Sequence, residues 1–193
     1  MAGICIVEAR RTPVGRFLGK LKNLSPVDLA CAAAQPVLEG KDASKVDQVI
    51  VGNVLGAGHG MNVARQVGVR LGIPPEVPAF TVNMMCGSGL QAVRLAAQAI
   101  RAGEAKAVLC GGSESMSGAP YLVPRARQGL KLGDAALVDS ILRDGLHDAF
   151  DGRHMGLLVE ATARARGIDR GRQDEWALRS QQRYAAAQAA GAF

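Results

Sequence analysis

Thr81-Val82-Asn83-Met84-Met85-Cys86-Gly87-Ser88-Gly89-Leu90 decides the reading of this chain. Before it, Ala79-Phe80-Thr81-Val82 is short, apolar and β-branched, as a strand should be, and Pro74, Pro75 and Pro78 interrupt the chain just upstream. After it, Leu90 to Ile100 is helical in composition and almost free of charge. A cysteine followed by Gly-Ser-Gly therefore sits between a strand and a helix. A thiol at that place faces unpaired backbone N–H groups and the positive end of the helix dipole, a setting that favours the nucleophilic thiolate. The glycines permit positive φ or close approach of another backbone. The stretch reads as a strand-to-helix elbow carrying a nucleophilic Cys86, or as a structural cysteine beside a Gly-rich turn.

Working outward, Ile4-Cys5-Ile6-Val7 reads as a buried strand, ended by Arg10-Arg11-Thr12-Pro13. Ser25-Pro26-Val27-Asp28 reads as a helix start, with Ser25 as cap, Pro26 at the first position and Asp28 as the capping-box acid. That helix should reach Leu38, with Gly40 just beyond it. Val46 to Asn53 is a second strand, followed by the loop glycines 52, 56, 58 and 60 and a helix from Asn62 to Leu71. The loop lacks the Gly-Lys-Ser/Thr ending of a phosphate-binding P-loop. His59 within it has no nearby ligand set for a metal and reads as a loop residue. The helix after Cys86 is apolar on nearly every side, which predicts burial, and Gly103 marks its end. Ala107 to Cys110 is a fourth strand, closed by Gly111-Gly112. Strands alternating with helices predict an α/β layer with a largely parallel sheet.

Beyond Met116 the chain turns basic and irregular, with Pro120, Pro124, Arg125, Arg127 and Lys131. Leu137 to Leu142 reads as a short helix. The chain closes with Asp169 as a cap and a helix from about Arg172 to Ala190, on which Trp176 and Tyr184 share a packing face.

The composition bounds the alternatives. Apolar residues make up 48% and charged residues 21% of the 193, as in ordinary globular domains. Aromatics are only 4%, so the core must be built from Ala, Val, Leu and Ile. No apolar run approaches the roughly 20 residues that span a membrane, and Glu8, Arg10 and Arg11 arrive too early for a secretory signal. The expected location is the cytoplasm. The formal charge is +6, but the arginines are scattered and no nucleic-acid module is present. An anionic ligand fits that charge without being identified by it. Cys5, Cys31, Cys86 and Cys110 match neither a metal site nor a disulfide framework. Cys5, Cys31 and Cys110 read as small core residues.

Asn83-Met84-Met85-Cys86-Gly87-Ser88-Gly89-Leu90-Gln91-Ala92 resembles the nucleophile motif of the thiolases, acyl-CoA C-acetyltransferases that make or cleave the carbon–carbon bond of a 3-ketoacyl-CoA. Three further stretches match in the same order: Val7 to Gly15, Gly111-Gly112-Ser113-Glu114-Ser115-Met116-Ser117, and Asp144-Gly145-Leu146 through His154-Met155-Gly156. The resemblance implies an α/β, thiolase-like layered fold. It places an N-terminal α/β domain with a buried central helix at 1–116, and a loop-domain excursion with its following helices at 117–193. It implies that the family's C-terminal half is absent from these residues and is the expected partner.

The resemblance gives Cys86 the role of nucleophile, with its backbone N–H helping to hold an oxyanion, and places Leu146, His154 and Met155 along the pantetheine and acyl group of coenzyme A. It implies coenzyme A thioesters as substrates, with no tightly bound cofactor and no metal. It gives Glu114 a structural rather than a basic role. A segment like Arg125 to Asp134 helps dimers pair in tetrameric members, so a homo-oligomer, dimer or tetramer, is expected, without nucleic-acid or membrane partners. Short-chain substrates such as acetoacetyl-CoA follow from Met155 and this loop. The family's catalytic histidine lies in Gly-His-Pro and its second cysteine in Cys-x-Gly-Gly-Gly. Neither motif occurs here, where the histidines are His59, His147 and His154, so residues 1–193 alone are expected to be inactive. After Met155-Gly156 the family commonly continues x-Thr-Ala-Glu-Asn. This chain has Leu157-Leu158-Val159-Glu160-Ala161, which retains only the glutamate and removes two hydrogen-bonding side chains. The competing readings are a non-catalytic chain that keeps the fold, and a ketoacyl synthase-like condensing enzyme.

Overall fold

The computed structural model describes residues 3–192 and divides into two compact units, Met1–Gly145 and Leu146–Phe193. The first is organised around strand β1 (Gln48–Gly52). Its residues Val49, Ile50 and Val51 are at most 5% exposed, so both faces of the strand are covered. A parallel strand with helices on both sides needs such an unbroken β-branched run. β1 pairs in parallel with β2 (Ala79–Val82) on one side and β3 (Val108–Gly112) on the other, giving the order β2-β1-β3.

Side-chain alternation along β1 then sorts the helices. Val49 and Val51 pack on one face with Val27 of α1 (Pro26–Leu38) and with Val63, Ala64 and Val67 of α2 (Val63–Arg70). Ile50 points the other way, into Ala92 and Ala96 of α3 (Ser88–Ala102). The expected capping box at α1 is formed: the Asp28 amide donates to Ser25 Oγ at 3.1 Å and the Ser25 amide donates to Asp28 Oδ2 at 2.9 Å. Asn62 caps α2 from a left-handed backbone, φ 51°, its side-chain oxygen accepting from the Arg65 amide. Gly103 ends α3 with φ 78°.

Several expectations need correction. Ile4 to Val7 forms no strand, and Ile6 and Val7 are 76% and 79% exposed. A strand needs a partner's ladder, and none is supplied by the described residues. Cys5 is consequently exposed rather than a core residue. Helix α3 buries one face only: Ala92, Ala96 and Ala99 are covered, while Leu90 is 76% exposed and Arg94, Gln98 and Arg101 are exposed. Its apolar composition exceeds what the sheet covers. Gly111 and Gly112 lie inside β3 rather than closing it, since Gly112 pairs with Gly52. Leu137 to Leu142 is helical only from Ser140 onward. Val138 and Asp139 form β5 (Val138–Asp139), antiparallel to β4 (Tyr121–Leu122), and the buried Ser140 Oγ donates to the Pro120 carbonyl at 2.5 Å. That pairing satisfies backbone groups that a helix would have taken. A π-helical turn, Leu142–Leu146, follows.

The second unit contains α4 (Met155–Ala165) and α5 (Arg170–Ala189), and none of its described residues is buried. Asp169 caps α5 as expected, accepting from the Arg172 amide at 2.8 Å. Trp176 and Tyr184 stand 66% and 55% exposed, and the Arg179 guanidinium lies 4.2 Å above the Trp176 ring. No helix among the described residues is long and apolar enough to cross a membrane.

Candidate active site

Helix α2, which follows β1, and helix α3, which follows β2, lie on opposite faces of the sheet. Adjacent parallel strands whose helices diverge in this way leave a crevice at their carboxyl ends, where ligands of open α/β sheets bind. Cys86 lies at that end, on the connection between β2 and α3.

The turn is held tightly. Met85 has φ 49°, a left-handed conformation that disfavours side chains. Its amide donates to Asn83 Oδ1 at 2.9 Å. The Gly87 amide donates to the Met84 carbonyl at 3.1 Å, and the Ser88 amide to the Met85 carbonyl at 3.0 Å. The Ser88 hydroxyl adds two bonds, accepting from the Met84 amide at 2.8 Å and donating to the Met85 carbonyl at 2.6 Å. Gly87 is the N-cap of α3 and offers no side chain to its first amides. Cys86 itself is exposed, on a rim with Met84 and Met85, 51% and 45% exposed.

Glycines let α3 begin this close to the sheet. A Cβ on Gly52 would lie 2.5 Å from the Ser88 carbonyl carbon and 2.7 Å from the Gly89 nitrogen. A Cβ on Gly112 would lie 3.0 Å from the Gly89 Cα. The ends of two strands and the first turn of α3 thus meet backbone to backbone.

Glu114 supports the neighbouring strand exits. Its carboxylate accepts from Asn53 Nδ2 at 2.8 Å, the Val54 amide at 2.9 Å and the Leu55 amide at 3.1 Å. Asn53 Nδ2 also donates to the Ser113 carbonyl at 2.9 Å. These bonds are the loop hydrogen bonding expected of a structural glutamate. Ser113 and Ser115 tie the same segment to the start of α1, donating to the carbonyls of Pro26 and Leu24, each at 2.7 Å. His59 Nε2 is buried without a hydrogen-bond partner.

The four thiols differ in surroundings. Burial pushes the Cys31 and Cys110 thiols up, so both stay protonated where a nucleophile would need thiolate. Cys5 and Cys86 are exposed, and only Cys86 lies on a structured turn at a helix start.

Leu146, His154 and Met155 belong to the second unit. A hairpin joins His147 and His154 as an antiparallel bridge, with their rings 5.8 Å apart and nearly perpendicular, at 82°. The Asp148 amide donates to the Arg153 carbonyl at 2.8 Å, and the Asp148 carboxylate takes the amides of Phe150 and Asp151. His154 caps α4: its Nδ1 accepts from the Gly156 amide at 3.0 Å, which leaves Nε2 as the free edge of the ring. Met155 follows at the first position of α4, 44% exposed. The loop is therefore held by this hairpin, and Thr162 Oγ1 donates to the Leu158 carbonyl at 2.9 Å one turn into the helix.

Three features of the site escaped the sequence reading. Ser88 carried no signal beyond its place in the motif. Met85 is not a residue from which a left-handed backbone would be inferred. The pairing of His147 with His154 depends on the hairpin. The glycines at both strand ends, Gly52 and Gly112, were the one available hint of a close approach.

The family model described as "Thiolase, N-terminal domain" matches residues 4–193. The chain belongs to the thiolase family. Among curated relatives, an acetyl-CoA acetyltransferase of Pseudomonas aeruginosa is 49% identical over 195 residues, covering 100% of this chain and 50% of that protein. The acetyl-CoA acetyltransferase of Cupriavidus necator is 47% identical over 195 residues, with the same coverage of 100% and 50%. The Acat5 thiolase of Ascaris suum, solved in complex with coenzyme A, superposes with a TM-score of 0.91 at 38% identity, over 96% of this chain and 48% of that one. The thiolase-like α/β fold with its parallel sheet is thereby established, and the chain spans about half the length of the relatives it matches.

Proposed function

We propose that this chain supplies the nucleophile-bearing half of an acetyl-CoA C-acetyltransferase acting on short-chain 3-ketoacyl-CoA. The observation that carries this reading is Cys86: an exposed thiol on a hydrogen-bonded turn at the start of α3, in a chain 49% identical to an acetyl-CoA acetyltransferase. Cys86 Sγ, as thiolate, attacks the thioester carbonyl. The carbon–sulfur bond to coenzyme A breaks, coenzyme A leaves as its thiolate and takes up a proton, and the acyl group rests on Cys86 as a new thioester. In condensation, the α-carbon of a second acyl-CoA loses a proton and attacks that carbonyl, releasing Cys86. Thiolytic cleavage runs the same steps backwards. Two substrates visiting one thiol in turn give ping-pong kinetics. The Cys86 amide stabilises the oxyanion as charge develops there.

In this reading Leu146, His154 and Met155 receive the pantetheine and acyl group, with the His154 Nε2 edge as the polar contact. Gly-His-Pro and Cys-x-Gly-Gly-Gly motifs in a second thiolase half supply the bases that the chemistry requires. Residues 1–193 alone therefore do not turn over. The exposed Leu130 and Leu132, 60% and 100%, in the basic segment 125–134 support a role in pairing dimers within a cytoplasmic homo-oligomer.

The test is intact mass spectrometry after exposure to acetyl-CoA, with the second thiolase half present. One acetyl group gained and lost again in Cys86→Ser is the expected result. An acetyl group that persists in Cys86→Ser removes the nucleophile assignment. No acetyl group in the complete protein favours a chain that keeps the fold without the chemistry.

A further inference from the structure

We propose that Ser88 is a positioning residue for Cys86, a role that rests on Cys86 being the reacting thiol. Cys86 is exposed and belongs to neither packed cluster of the core, so its direction follows from the backbone of the turn. That backbone passes through Met85 in a left-handed conformation that is strained for a residue with a side chain. Something must hold it. Ser88 is 5% exposed and spends both hydrogen-bonding functions of its hydroxyl on the two residues before Cys86. The hydroxyl oxygen takes the Met84 amide, and its proton goes to the Met85 carbonyl. Ser88 is also the first residue of α3, and its carbonyl carbon lies against Gly52 at the end of the central strand. One side chain thus links the left-handed residue to the part of the helix that the sheet fixes in place. Without the hydroxyl, the Met84 amide loses its acceptor and the Met85 carbonyl keeps only the Ser88 amide, so the turn is less firmly held and Cys86 shifts from the helix start.

Residue-resolved alkylation of the full chain with iodoacetamide tests this, because it needs no substrate and does not depend on acyl transfer. Cys5, exposed and outside the turn, is the internal rate standard, and half-buried Cys110 reports whether the core stays closed. In Ser88→Ala the rate of Cys86 relative to Cys5 should fall up to about tenfold, because a thiol carried away from the helix start loses the dipole that favours its thiolate. Ser88→Cys keeps the side-chain size but offers only weak hydrogen bonds, and should give an intermediate fall. Met85→Gly in the Ser88→Ala background should recover part of the rate, since glycine adopts the left-handed conformation without the steric penalty of a side chain. An unchanged Cys86 to Cys5 ratio overturns the proposal in whichever Ser88 variant keeps Cys110 protected. A stability loss without a change in that ratio would make Ser88 structural only. Absence of Cys86 acetylation together with the expected alkylation result would count against the acetyltransferase reading and leave the positioning role standing.

Discussion

The turn at Cys86 and the hairpin ending at His154 each feed a helix, one in each compact unit. They are held by different means. The Cys86 turn is anchored from behind: Ser88 is buried, and a Cβ on Gly52 or Gly112 would meet the backbone of α3's first turn. The His154 hairpin relies on local bonds, with Asp148 taking two loop amides and His154 capping its own helix, in a unit with no buried residue among those described. Close packing allows no continuous adjustment, so the first arrangement resists change until it fails. Local caps contribute about 1 kcal/mol each and leave a helix responsive to its surroundings. Under the proposed function, the first kind of support would suit a nucleophile and the second a loop that receives a long, flexible thioester.

Adding one methyl group to each region gives the largest contrast. Gly52→Ala places a Cβ 2.5 Å from the Ser88 carbonyl carbon, against backbone that cannot swing aside. It should destabilise the first unit by about 3 kcal/mol and displace Cys86, read as a lower thermal midpoint and altered alkylation of that thiol. Gly171→Ala, at the start of α5, meets nothing nearer than Asp169 Oδ1 at 3.4 Å. It should be neutral or stabilising by about 0.5 kcal/mol, as for glycine in a helix. Equal effects at the two sites would dissolve the distinction between packed and local support.

A smaller effect sharpens the comparison through pH. The Ser25 hydrogen bond, followed by the Arg70 guanidinium and the Ser25 amide, pulls the Asp28 carboxyl from 3.8 down to about 2. A pKa lower in the folded than in the unfolded state means that the unfolded chain binds the proton more readily. The contribution is therefore present above pH 3.8 and is lost as pH falls towards about 2. Asp28 is partly open to solvent, so screening keeps this contribution modest. Urea midpoints for wild type and Asp28→Asn should converge over that interval. Parallel curves would mean that the capping box of α1 adds nothing to the first unit.

The smallest effect is expected in the second unit. Asp169→Ala removes the cap of α5 and should cost that helix about 1 kcal/mol. Amide exchange in the first turns of α5 should quicken, while Cys86 alkylation stays unchanged. A change at Cys86 would show that its turn depends on α5.

Local sequence was enough for much of this chain. The Ser25 capping box, the Asp169 cap, the strand at Ala79–Val82 and the thiol at a helix start are short-range devices, written in residues one to four apart. The ordered motifs around Cys86, Glu114 and His154 likewise identified the family from sequence alone. Elements that depend on distant partners were misread. Ile4 to Val7 has a strand's composition but lacks a neighbour among the described residues. Val138 and Asp139 became a strand because Tyr121 and Leu122 lie opposite. The composition of α3 gave no means of telling its covered alanines from its open Leu90 face. In the site, sequence fixed which thiol stands at the helix start. Tertiary structure decided how that thiol is held, because the left-handed Met85, the two hydrogen bonds of the Ser88 hydroxyl and the contact of Gly52 with α3 arise only when strand ends and helix start are packed together.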